Sequence, residues 1–180
     1  MHTANEEQFS TDSRDVCTIV IIYDDDATRA RALDACDFLV KQFWQEVELE
    51  FHWWRTDFLS DATLGTVASK NAVAADFLLV CLDLQRAITP TLEAWFESWL
   101  VRRSNREGAL VDLTSTQKSS DESRQTETFL REVSQRGCFE YLTTIPDDGK
   151  ASNILPRVNY QSVDEILGES RPPSHFGLNE

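Results

Sequence analysis

Glycine is scarce in this 180-residue chain: there are six, and they are scattered. Neither a Gly-x-Gly-x-x-Gly nor a Walker-type phosphate loop is present, which removes the commonest cradles for nucleotide phosphates. Cysteine is equally sparse. Cys17, Cys36, Cys81 and Cys138 lie far apart, with no Cys-x-x-Cys pair. Each sits in an apolar stretch and reads as a small buried hydrophobe in a reducing compartment. The three histidines, His2, His52 and His175, have no metal-ligand spacing. No Gly-x-Ser-x-Gly elbow marks a hydrolase nucleophile.

Positive charge is also in short supply. Lys and Arg number 17 against 31 Asp and Glu, for a formal net charge of −14. Such a chain repels phosphate backbones and anionic lipid, so nucleic acid and membrane surfaces are not expected partners. No apolar run approaches the roughly 20 residues needed to span a bilayer. The opening Met-His-Thr-Ala-Asn-Glu-Glu has neither the basic nor the apolar region of a signal peptide. The expectation is a soluble cytoplasmic protein, with one domain between two tails. Residues 1–15 read as a disordered acidic tail, 16–146 as an α/β domain, and 147–180 as an extended or partly disordered tail with a short helix at 163–167.

What the sequence does contain is periodicity. Cys17 to Tyr23 (CTIVIIY) and Phe77 to Leu82 (FLLVCL) are continuous apolar runs, as buried strands require. Val47 to Trp54 alternates, with Val47, Leu49, Phe51 and Trp53 on one face and Glu48, Glu50, His52 and Trp54 on the other. Ala109 to Leu113 and Phe139 to Ile145 complete five strands. Helical spacing marks roughly 26–45, a helix capped by Ser60 or Asp61, one opened by Thr89-Pro90, and one entered through a Ser119/Glu122 capping box and stopped by Gly137.

Strands alternating with helices predict a parallel sheet covered on both faces. The two apolar strands belong at the centre and the alternating ones at the edges. The expected fold is therefore a three-layer α/β/α sandwich with strand order 2-1-3-4-5, the flavodoxin-like order.

In such a sheet, ligands bind beyond the carboxyl ends of the strands. Asp24, Asp25 and Asp26 follow the first strand and Asp83 the third. Thr114 and Ser115 follow the fourth, Thr143 and Thr144 the fifth. Asp24, Asp25 and Asp83 together suit a hard-oxygen Mg²⁺ site. The three aspartates after the first strand equally suit a turn and helix N-cap.

Tyr-Asp-Asp-Asp-x-x-Arg-x-x-x-Leu (Tyr23 to Leu33), DFLLVCLDL (Asp76 to Leu84) and Leu-Val-Asp-Leu-Thr ending at Thr114 resemble the receiver domains of response regulators. The resemblance implies Asp24 and Asp25 as metal-site acids, Asp83 as phosphoacceptor and Thr114 as switch hydroxyl. Two departures stand against an active switch. The family's lysine at the end of the fifth strand is missing from Leu142-Thr143-Thr144-Ile145-Pro146. Gln85-Arg86-Ala87-Ile88 replaces the turn expected after the acceptor. The lysine balances phosphoryl charge in the transition state, and its loss is costly.

Ala75 to Val80, followed by a helix bearing Trp and Glu, is similar to the Toll/interleukin-receptor class. That likeness implies NAD or nucleotide cleavage by Glu93 or Glu97. Trp54 to Leu59 and the ending His175 to Glu180 resemble a group of uncharacterised short bacterial proteins, with Phe176 and Leu178 as docking residues. Trp53 and Trp54, on an edge strand, are candidates for a dimer or partner surface. The reading that emerges is a degenerate receiver-like signalling domain working through protein contacts, with a protein partner or homodimer. An NAD-cleaving enzyme and an active phosphoreceiver at Asp83 are the alternatives.

Overall fold

A computed structural model of the chain describes residues 16–43, 45, 47–83, 88–103, 105–114 and 121–145. Both tails lie outside the described residues, as do Ser115, Ser119, Phe176, Leu178 and the helix expected at 163–167.

The elements run β1 (Val16–Tyr23), α1 (Asp26–Phe43), β2 (Glu48–Arg55), a 3₁₀ helix (Thr56–Ser60), α2 (Ala62–Ala74), β3 (Phe77–Cys81), α3 (Pro90–Leu100), β4 (Gly108–Asp112), α4 (Asp121–Arg136) and β5 (Phe139–Leu142). All strands are parallel, in the order β2-β1-β3-β4-β5. The expected three-layer fold is the one observed. The apolar runs sit inside: Ile19, Val20, Ile21 and Ile22 of β1 and Leu78, Leu79 and Val80 of β3 are fully inaccessible. Each such side chain contributes about 1.5–3 kcal/mol relative to exposure.

Alternation along the strands divides the core in two. Val20, Ile22, Trp54, Leu78, Val80 and Leu110 face α2, α3 and α4, which add residues such as Ala68, Phe96, Trp99 and Leu130. Ile19, Ile21, Leu49, Phe77, Leu79 and Val111 face the other way, toward Ala32, Cys36, Leu39 and Phe43 of α1.

Helix starts follow their caps. The Asp61 carboxylate accepts from the Thr63 and Leu64 N–H groups at 2.8 Å each, so Asp61 and not Ser60 caps α2. Thr89 accepts from Leu92 N–H at 3.2 Å, with Pro90 as first helical residue. Each cap is worth about 1 kcal/mol.

Three details differ from the sequence reading. The ladder of β5 to β4 stops at the Val111–Leu142 pair, and residues 143–145 are not strand. Cys138 is exposed, unlike the other three cysteines: it follows Gly137 at φ 55°, a left-handed turn that points it outward. Trp53 and Trp54 also part company. Trp54 is 1% exposed in the core under α2, while Trp53 is only partly buried on the α1 side.

The amino end of the sheet is closed by Arg103, which is 4% exposed. Its Nε donates to Gly137 O at 2.7 Å. Its Nη1 donates to the carbonyls of Ala72, Val73 and Ala75, and its Nη2 to those of Arg106 and Glu107. Glycine at 108 makes room for this: a Cβ there would lie 2.7 Å from both Arg103 Nη2 and Asp76 O. Among the described residues, no helix is long and apolar enough to cross a membrane.

Candidate functional site

The carboxyl ends of β1, β2 and β3 converge on Asp24, one residue past β1. One oxygen of its carboxylate accepts from the Thr56 hydroxyl at 2.8 Å, and the other from the Asp83 N–H at 2.8 Å. Asp24 thus ties the start of the 3₁₀ helix to the loop leaving β3. Beside it opens a cleft of about 300 Å³, lined by Asp24, Thr56, Asp57, Thr89, Thr91 and Leu92 among others. Its lining mixes hydroxyls and two carboxylates with the apolar Leu82, Ile88 and Leu92.

Asp25 is engaged at the start of α1. Its Oδ1 accepts from the Thr28 N–H at 2.9 Å, and the Thr28 hydroxyl accepts from the Asp25 N–H at 2.8 Å. Asp25 and Thr28 therefore cap α1 reciprocally. Asp24 and Asp83 meet through the Asp83 backbone. Among the described residues, no three His, Cys, Asp or Glu side chains group so as to hold a metal ion. A Mg²⁺ ion at Asp24 would have to compete with the Thr56 and Asp83 donors.

Thr114 is 2% exposed. Its Oγ1 accepts from the Leu82 N–H at 3.1 Å and lies 3.4 Å from Val80 O, so the hydroxyl is turned onto β3. Its N–H donates to Asp112 Oδ1 at 2.9 Å. Asp112 Oδ2 accepts from the Tyr141 hydroxyl at 2.6 Å. Burial, and then the bond to the Asp112 carboxylate, pushes the Tyr141 phenol above its ordinary pKa. This Thr114–Asp112–Tyr141 chain locks the end of β4 to β3 and β5.

Glu93 and Glu97 lie on the exposed side of α3 and do not line the cleft beside Asp24. Glu97 is clasped by Arg136 of α4 through paired bonds of 2.5 and 2.6 Å, which hold its carboxyl below the usual range. The buried side of α3 is aromatic: Trp95, Phe96 and Trp99 meet edge-to-face or tilted, with centroids 5.1–5.8 Å apart. Trp95 Nε1 reaches Gly65 O at 3.3 Å.

Sequence reasoning missed Thr28, Thr56, Asp112 and Tyr141. Asp25 and Thr28 stand three apart at a helix start, and that spacing was a legible capping signal. The remaining three are joined only by the sheet.

No family model matches the chain, and no curated protein matches it. Among solved structures, it is similar to the flavodoxin-like domain of a Synechococcus sp. protein. The identity is 12% and the TM-score 0.42, over 76% of this chain and 90% of that one.

Proposed function

We propose that this chain is a non-catalytic, receiver-like protein-interaction module that does not run a phosphoryl switch. The observation that carries this reading is the commitment of Asp24: both carboxylate oxygens serve protein donors, Thr56 and the Asp83 N–H. Removing such a carboxylate from its bonds costs about 1–3 kcal/mol for each group left without a partner. The inward hydroxyl of Thr114 and the absence of lysine from residues 142–146 support the same reading. A contact role draws its support from β2, one of the two edge strands, where Trp53 remains partly accessible.

The test is incubation with a small phosphoryl donor and millimolar Mg²⁺, read by intact mass and by melting temperature. The expected result is no phosphoryl adduct and no shift in melting. A bound ion at one hundred times its dissociation constant would add about 2.7 kcal/mol, which melting detects readily. An adduct that disappears in Asp83→Asn would overturn the proposal in favour of an active receiver. Consumption of NAD that disappears in Glu93→Gln or Glu97→Gln would overturn it in favour of an enzyme.

A further inference from the structure

The two faces of the sheet are covered unequally. α2, α3 and α4 pack on one face, whereas α1 is the only described helix on the other, where it packs chiefly over β1 and β3. Beside α1, at the carboxyl ends of β4 and β5, lies a groove of about 370 Å³. Its lining includes Asp34, Ala35 and Phe38 of α1 together with Leu113, Thr144 and Ile145. The groove is mostly apolar, and Phe38, Leu113 and Ile145 are each only partly buried. An apolar segment laid in it would remove that surface from water. We propose that residues 154–160 of the same chain, Ile-Leu-Pro-Arg-Val-Asn-Tyr, occupy this groove. This goes beyond the interaction reading above, because it names a surface that the chain covers for itself.

Tether and apolarity select that segment. The described residues end at Ile145, on the wall of the groove itself. Ile154 and Leu155 are the first large apolar residues after it, and Val158 and Tyr160 follow. The chain between Ile145 and Ile154 reaches at most about 30 Å when fully extended. So short a tether holds the segment near the groove at an effective concentration on the order of millimolar. Phe176 and Leu178 lie much further along the chain, where the tether concentrates them less.

Charge selects the same segment. Asp34 lines the groove, and Asp37 lies exposed one turn further along α1. In a chain of net charge −14, the stretch from Gly149 to Val163 carries Lys150 and Arg157 and no acid. Arg157 brings a cation to the acidic rim while Ile154, Leu155, Val158 and Tyr160 supply the apolar fill. The next apolar residues are set among acids: Asp164 and Glu165 lie between Val163 and Ile166, and Asp34 repels them.

The test is disulfide trapping in the full chain, in a Cys138→Ser background that leaves only buried native cysteines. Under mild oxidation, Ala35→Cys combined with Val158→Cys should close an intramolecular disulfide, read as a monomer lighter by two hydrogens. Val67→Cys combined with Val158→Cys is the control and should stay reduced, because Val67 is exposed on α2, across the sheet from the groove. Melting curves verify that each variant is folded. No trapping of the Ala35 pair, or equal trapping of the Val67 pair, would overturn the inference. So would disulfides that form only between chains, because a second copy would then hold the groove. Trypsin gives a readout on the wild type itself: cleavage after Arg157 should lag cleavage after Lys150, and Asp34→Arg should shorten that lag. Equal cleavage at the two sites in the wild type also counts against the docked segment. None of these results bears on the phosphoryl-donor test, so the two proposals fail separately.

Discussion

The guanidinium of Arg103 lies 3.7 Å over the ring of Phe139, and the same guanidinium reaches the Gly137 carbonyl two residues before that ring. One side chain thus fixes both the end of α4 and the start of β5. Its remaining donors reach the last turn of α2 and the loop before β4. Those carbonyls include the negative ends of the α2 and α4 helix dipoles, which suit a cation, and the Asp76 carboxylate favours its charge as well. Burial pushes the Arg103 pKa down to about 10, which leaves it charged at neutral pH.

Lysine cannot reproduce this fork. Its ammonium has three donors at one point, whereas the guanidinium spreads five over a plane and stacks on an aromatic face. Arg103→Lys is expected to lower stability by about 2–4 kcal/mol, as several buried carbonyls lose their donor. Urea denaturation measures this directly. A change below about 1 kcal/mol would mean that the carbonyls find water instead.

The chain from Thr114 through Asp112 to Tyr141 gives a second expectation. Asp112 is 1% exposed, so its carboxylate depends on the two protein donors. Tyr141→Phe removes one of them and should cost about 1–3 kcal/mol. The folded phenol titrates above the ordinary value of 10.0, so the unfolded chain loses its proton first. The contribution of Tyr141 is therefore complete below about pH 10 and is lost as pH rises beyond it. Alkaline melting curves of Tyr141→Phe should fall less steeply than those of the wild type.

His52 works in the acid direction. Burial lowers its pKa from 6.5, with Glu50 opposing the shift. The folded ring stays neutral where the unfolded ring takes up a proton. Stability from this group is present in full above pH 6.5 and is lost as pH falls below it. The melting temperature should decline between about pH 7 and about pH 5.5, and His52→Asn should flatten that decline. An identical slope in both proteins would remove His52 as its source.

The sequence by itself determined the layered sheet and its order. Whether a strand is central or at an edge is written in the alternation of its own neighbours: unbroken in Ile19 to Ile22, broken in Glu48 to Trp54. Caps are equally local, as Asp61 and Thr89 each act on residues two or three positions ahead. The tertiary structure alone decided what the polar groups at the sheet ends do. Asp24 meets Thr56 and the Asp83 backbone across 32 and 59 residues of sequence, and Asp112 meets Tyr141 across 29. Arg103 finds the Ala72, Val73 and Ala75 carbonyls only because α2 ends beside the loop that carries it. Trp53 and Trp54 are chemically identical, yet Trp54 entered the core on the face covered by α2, α3 and α4, while Trp53 kept some solvent on the α1 face. Periodicity is set by the nearest few residues, whereas a side chain's partner is set by whichever backbone the folded sheet brings alongside it.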